Sequence, residues 1–249
     1  MVVSGMKCGW IFAGFTLLPL LSGCEASMMH LAVPQGIANK TELLAVKDRS
    51  PFMPDSGFSL GEYTVSGAQR GWTTSTTEEV GPISSRVSSG SYTYTLAKGN
   101  QLFTGKCTTG LIDKHVDLGD GWEIGNNQNG VSCSCGDQAR LVLSTAALDS
   151  TGVSYEANGK QATVQPAGVT YNGRLFIGEK QFDLITLHEV DGGIHLPEPA
   201  GYRVTSGQDV GAMVEVLTPG RMWLDKGLSH QTADSMRCLL TGLMFFRSE

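Results

Sequence analysis

The chain has 249 residues, 41% of them hydrophobic and 17% charged, with a formal net charge of −6. That length suits one large β-domain or two small ones, and either can bury a sizeable core. Mild acidity without a Lys/Arg block argues against nucleic acid as a partner and against adsorption to anionic lipid by charge, while 32 glycines amid abundant Ser and Thr fit many short strands joined by tight turns.

The N-terminus reads as a targeting segment. Lys7 supplies a short positive region, and Trp10 to Leu20 supply an apolar run that Pro19 interrupts. The run is too short to span a bilayer as a helix, which takes about 20 residues. Ser22 and Gly23 are the small residues that a signal peptidase needs. Met6, directly before Lys7, makes a more usual start than Met1. The four residues Leu21-Ser22-Gly23-Cys24 resemble the lipobox of bacterial lipoprotein precursors. The resemblance implies that residues 1–23 are removed as a signal peptide and that Cys24 carries a diacylglycerol on its sulfur. The membrane is then a partner through that lipid, and the location is the bacterial cell envelope. Each buried acyl CH₂ contributes about 0.8 kcal/mol, so two or three chains anchor permanently. Glu25, in place of the Asp that favours inner-membrane retention in the enteric members, points to the outer membrane.

Residues 24–57 read as the lipidated cysteine and a tether, with Pro34, Gly36, Pro51, Pro54 and Gly57 and no sustained period. A short helix over Lys40–Val46 is compatible with it. Asn39-Lys40-Thr41 matches a glycosylation sequon and is read as chance. Residues 58–249 read as a single β-rich domain. Period-two alternation begins at Phe58, Leu60, Tyr63 and Val65, and returns at Tyr92, Tyr94 and Leu96. Lys98-Gly99-Asn100 turns the chain into a strand over Gln101–Thr108. Ser75–Gly90 is polar and Asp113–Gly130 is rich in Asp, Asn and Gly, so both read as long loops. Further on, Asn158-Gly159, Asn172-Gly173 and Asp191-Gly192 each sit between apolar alternations, the signature of type I′ hairpins. Thr218-Pro219-Gly220-Arg221 reads as a type II turn between Val210–Leu217 and Met222–Leu224.

Consecutive hairpins imply an antiparallel meander of ten to twelve strands, forming a barrel or a sandwich. The end of the chain departs from it. Thr232 can cap a helix over 232–246 with Asp234 in its first turn. Met236, Leu239, Leu240 and Leu243 recur at helical spacing, and the terminal half is apolar on nearly every side. Such a helix is buried, so it is expected to plug a barrel or lie against a curved sheet. This layout is similar to the tubby and scramblase-like barrels, which close around a C-terminal apolar helix; no residue is carried over from them.

After export, four cysteines remain beside Cys24: Cys107, Cys133, Cys135 and Cys238. An even number in an oxidising compartment points to two disulfides. Cys133 and Cys135 are too close for an easy mutual bridge, so each is expected to pair with Cys107 or Cys238, in either order, with Cys238 stapling the helix to the strands. A thiolate metal site is the alternative.

Gly57-Phe58-Ser59-Leu60-Gly61 matches the G-x-S-x-G nucleophile elbow, but Glu62 to Val65 continue as a strand where the elbow needs a helix. His188 and His195 are opposed if Asp191-Gly192 is a two-residue turn, and with Glu189 or Asp191 the pair could hold a metal. A three-residue loop would pair His195 with Glu189 and part the histidines. Asp113, Asp117, Asp120 and the run Asn126 to Asn129 offer oxygens to calcium at a spacing unlike an EF-hand. Trp72, Trp122, Trp223, Tyr92 and Tyr94 could line a pocket or fill the core. Arg237, within the apolar helix, is expected to reach the rim or pair with Asp234. No cofactor is indicated. The expected function is a non-catalytic binding or structural module of the envelope; the alternative is a hydrolase acting on envelope or extracellular substrates.

Overall fold

A computed structural model describes residues 29–80, 83–119, 122–145, 153–157, 160–164 and 171–247, with residues 80, 83–84, 113–119, 122–127, 153–157 and 160–164 described by backbone alone. In chain order the elements are α1 (Gln35–Lys40), β1 (Thr41–Lys47), β2 (Phe58–Leu60), β3 (Tyr63–Val65), β4 (Gln69–Arg70), β5 (Thr74–Val80), β6 (Ile83–Lys98), β7 (Gln101–Gly119), β8 (Trp122–Cys135) and β9 (Ala139–Thr145). There follow β10 (Val153–Ala157), β11 (Lys160–Val164), β12 (Tyr171–Ile177), β13 (Lys180–Leu187), β14 (Glu189–Val190), β15 (Ile194–His195), β16 (Gly201–Ser206), β17 (Asp209–Glu215), β18 (Arg221–Asp225) and α2 (His230–Phe245).

Twelve antiparallel strands close into a barrel in the order β3-β2-β1-β18-β17-β16-β13-β12-β9-β8-β7-β6, and β6 returns to β3 through Thr64 opposite Ala97 and Val65 opposite Leu96. Closure removes the unpaired sheet edges. Inward positions alternate along every strand, as in Leu44 and Val46, Tyr92, Tyr94 and Leu96, or Leu141 and Leu143, and they form one core with α2. The helix runs through the barrel, with buried residues from Thr232 to Phe245 on every side. This is the mainly β fold with an apolar C-terminal helix that the pattern implied, and the helix lies inside. Its N-cap is Ser229, whose hydroxyl accepts from the Thr232 amide; the expected cap, Thr232, lies in the first turn.

Four connections at one end are two-residue turns with glycine first: Gly61-Glu62, Gly99-Asn100, Gly178-Glu179 and Gly207-Gln208. Each glycine has a positive φ between 55° and 62°, the first-position requirement of a Gly-X hairpin. The expected turn at Asn172-Gly173 lies instead within β12, near its start, and the turn falls at Gly178. Gly173 serves close approach there, since a Cβ would lie 2.4 Å from the Val142 carbonyl oxygen. At Asp191 the loop has three residues, with Val190 opposite Ile194. Asn158-Gly159 lies outside the described residues, between the paired strands β10 and β11. The Thr218–Pro219 bond is cis, and Gly220 has a positive φ of 99°, the sign expected at that position of the turn.

Three further expectations are corrected. Residues 41–47 are neither tether nor helix: β1 lies between β18 and β2, with Leu44 and Val46 turned inward. The barrel thus begins well before Phe58, because β1 supplies the strand that completes closure. Ser75–Gly90 and Asp113–Gly130 are not loops. β5 and the distal parts of β6, β7 and β8 form a four-stranded arm continuing beyond the barrel body. Its strands, rich in Ser and Thr along β5 and β6 and in Asp, Asn and Gly along β7 and β8, carry no sustained apolar alternation to announce them, and extended pairing satisfies their backbone groups.

Candidate functional site: the loop-bearing end of the barrel

The two ends of the barrel differ in kind. The tight turns crowd the end where α2 begins. At the other end, where α2 stops, lie the connection 48–57, the β4–β5 segment and arm, the β14–β15 hairpin and the loop 216–220. The chain enters here too. Ala32 donates to the Glu189 carbonyl and Asp191 to that of His30. Leu31 packs with Val190, Ala200, Met213 and Trp223 in a second core on the outer barrel wall.

This end is organised by arginines. The last carbonyls of a helix lack internal partners and carry partial negative charge. Arg49 donates to the carbonyls of Val216 (3.0 Å), Leu217 (3.2 Å) and Met244. Arg70 reaches the Phe245 carbonyl at 2.9 Å and the Asp55 carboxylate at 2.9 and 2.7 Å. Burial, with Arg247 nearby, pulls Arg49 down to about 10, so it stays charged at neutral pH. The Arg70 hydrogen bonds hold the Asp55 carboxyl below its usual value. Glu215, fully buried, accepts from Arg221 Nε at 2.6 Å and pairs with His30 Nδ1 at 3.0 Å.

Around the helix end opens a cavity of about 220 Å³, lined by Tyr171, Glu198, Tyr202, Leu243, Phe246 and Arg247 among others. Tyr171 packs edge-on against Phe246 (centroids 5.7 Å apart) and Tyr202 (6.5 Å). Burial raises the Tyr202 phenol, which therefore stays a neutral hydrogen-bonding group. The cavity is below the usual size of small-molecule sites and accommodates a side chain or a ligand fragment. A second groove, about 380 Å³, lies at the turn end beside Leu102, Phe103, Lys106, Cys135 and Asp137.

Cys107 pairs with Cys133 and Cys135 with Cys238 at disulfide distance, the latter tying β8 to α2. Cys24 lies outside the described residues. His188 and His195 do come together, with rings stacked 5.0 Å apart, although the register is the one expected to part them: Glu189 opposes His195, and His188 reaches across diagonally. His188 Nδ1 engages the Leu196 carbonyl at 3.1 Å. Among the described residues no three His, Cys, Asp or Glu side chains gather to hold a metal.

Ser59 sits mid-strand in β2 opposite Thr64, so the elbow motif has no elbow. Of the calcium candidates, Asp113, Asp117, Asn126, Asn127 and Asn129 lie on the paired strands of the arm, and Asp120 is outside the described residues. Of the aromatics that could line a pocket or fill the core, Tyr92, Tyr94 and Trp223 are buried. Tyr92 and Tyr94 are core, donating to the helix carbonyls of Gly242 (2.9 Å) and Cys238 (2.6 Å). Trp223 packs in the outer core with the Arg221 guanidinium over its ring. Trp72 stands in solvent. The side chain of Trp122 is not described. Arg237 pairs with Asp234 at 2.6 Å, as expected, and also with the Tyr63 hydroxyl.

Tyr171, Tyr202, Phe246, Arg49 and Arg70 escaped the sequence reading. The tyrosines sit on strands separated by β13, and only closure around α2 brings them to one mouth.

No protein-family model matches the chain. Comparisons with curated proteins and with solved structures likewise found no match.

Proposed function

We propose that this chain is a membrane-anchored lipoprotein of the bacterial envelope, favouring the outer membrane, whose barrel is a non-catalytic binding module. The observation that carries the reading is the asymmetry of the barrel. One end is closed by minimal turns, while the other gathers the long connections, the arm and the aromatic cavity. Connections of that kind on a rigid scaffold are where binding residues concentrate. The axial helix fills the interior, which leaves the rim as the surface for recognition.

The lipobox at Cys24 and the two cysteine pairs support export together, since disulfides persist in oxidising compartments. The anchor is tested by mass spectrometry of the N-terminal peptide and by fractionation of a Cys24→Ser variant. An acylated Cys24, and release of the variant from membranes, support it; an unmodified cysteine overturns it. The binding role is tested by native purification after detergent extraction, with mass spectrometry of co-purified molecules. A lipid, sugar or peptide lost from a Phe246→Ala variant is the expected result. Turnover of an envelope substrate by the purified chain would overturn the non-catalytic reading.

A further inference from the structure

Three apolar side chains at the loop-bearing end have almost no protein around them. Trp72 is 95% exposed, Phe52 is 92% exposed and Met53 is 65% exposed. Their loops are bound together. Asp55 receives both hydrogen bonds from Arg70, two residues before Trp72, and its carbonyl accepts from the Ala68 amide at 2.8 Å. Ser50 Oγ accepts from the amides of Phe52 and Met53 at 3.2 and 3.1 Å. Single exposed apolar residues are ordinary. Here two aromatics and a methionine stand exposed on two loops joined at Asp55, each within three residues of Asp55 or Arg70.

The path of the chain says what covers it. Leu31 is sealed at the same end, its carbonyl accepting from Arg221, while the neighbouring His30 pairs with Glu215. The long tether expected from the sequence is absent, because residues 41–47 are a barrel strand. Cys24 precedes Met29 by five residues, which span at most about 18 Å when fully extended. A lipid on Cys24 therefore holds Met29, where the chain enters at this end, within about 18 Å of the bilayer.

We propose that the face bearing Trp72, Phe52 and Met53 docks on the bilayer that holds the lipidated Cys24, with Trp72 at headgroup level. The proposal rests on the lipoprotein reading of Cys24. An amphipathic indole suits the membrane interface. A short tether brings the face to a local concentration in the millimolar range, so shallow insertion suffices. The net acidity of the chain makes this an apolar contact rather than one driven by charge.

The test separates the two readings. The chain processed at Cys24 is coupled through that thiol to a maleimide lipid in phosphatidylcholine vesicles, which sets the tether whether or not cells acylate the cysteine. Native acylation is read independently by mass spectrometry. The Trp72 contribution is the difference in emission between the native sequence and Trp72→Phe, whose fold is checked by near-ultraviolet circular dichroism. The expected result is a blue shift of that contribution on coupling, quenching by doxyl-labelled phosphatidylcholine and loss of acrylamide access. Trp72 as open to acrylamide on vesicles as in solution would overturn the proposal. So would concentration-dependent dimers, abolished by Trp72→Phe, that protect the indole without lipid.

Discussion

Gly242 and Cys133 meet inside the barrel so closely that a β-carbon on the glycine would lie 3.0 Å from the cysteine sulfur. Cys107 Sγ would be equally near and the Tyr94 hydroxyl nearer, at 2.9 Å. Helix and wall thus touch through backbone on one side and a disulfide on the other. Gly242→Ala overpacks this contact and should destabilise the fold by about 1–3 kcal/mol, read as a lower urea midpoint under oxidising conditions. An unchanged midpoint would mean that the helix shifts freely inside the barrel.

The two cysteine pairs should contribute unequally. Cys135 and Cys238 are 103 residues apart in sequence, whereas Cys107 and Cys133 are 26 apart. On the chain-entropy account, a loop of about 100 residues gives about 4.7 kcal/mol, and shorter loops give less. Replacing both Cys135 and Cys238 by Ser should therefore lower stability more than the same change at Cys107 and Cys133. Denaturant titration of the two double variants decides it; equal losses would point to packing around the sulfurs instead.

Glu215 is the buried anchor of the N-terminal segment. Removing one partner of a buried, hydrogen-bonded pair costs about 3–5 kcal/mol, so Glu215→Ala should lower stability by that order. It should also free residues 29–33 for proteolysis, because His30 and Arg221 lose their common acceptor. Loss of stability without faster cleavage of that segment would show that the triad does not hold it.

Asp55 should give the loop-bearing end an acid-sensitive link. Its folded carboxyl titrates below the ordinary value of 3.8, chiefly through the Arg70 hydrogen bonds. A lowered folded value means that its stabilising contribution is complete above the unfolded value and fades as pH falls through the folded one. Protease sensitivity of the 48–57 loop should therefore rise as pH falls below 3.8, measured with an acid-active protease. Asp55→Asn should show the open behaviour at all pH values. A variant matching the native chain at neutral pH would remove Asp55 from this role.

Much of the fold was legible because burial in a β-barrel imposes a period of two and burial of a helix all round imposes none. Tyr92-Thr93-Tyr94-Thr95-Leu96 declared one inward face, and the stretch Leu239 to Phe246, apolar on nearly every side, declared a buried helix. The arm was illegible for the converse reason: Thr74 to Glu79 are exposed on both faces, and a strand wet on both faces needs no apolar pattern. Gly173 misled because glycine serves both turns and close approaches, and the sequence does not say which. Leu44-Ala45-Val46 was too brief an alternation to separate a strand from a tether.

Residue chemistry alone determined the class of architecture and the pairing rule that keeps Cys133 from Cys135. Tertiary structure decided which cysteine met which, that β1 closes the barrel, and that Arg49, Arg70, Tyr171 and Tyr202 share one mouth. Periodicity is a local consequence of burial and is written along the chain. Closure is a property of all twelve strands together, and it alone sets which distant residues become neighbours at the rim.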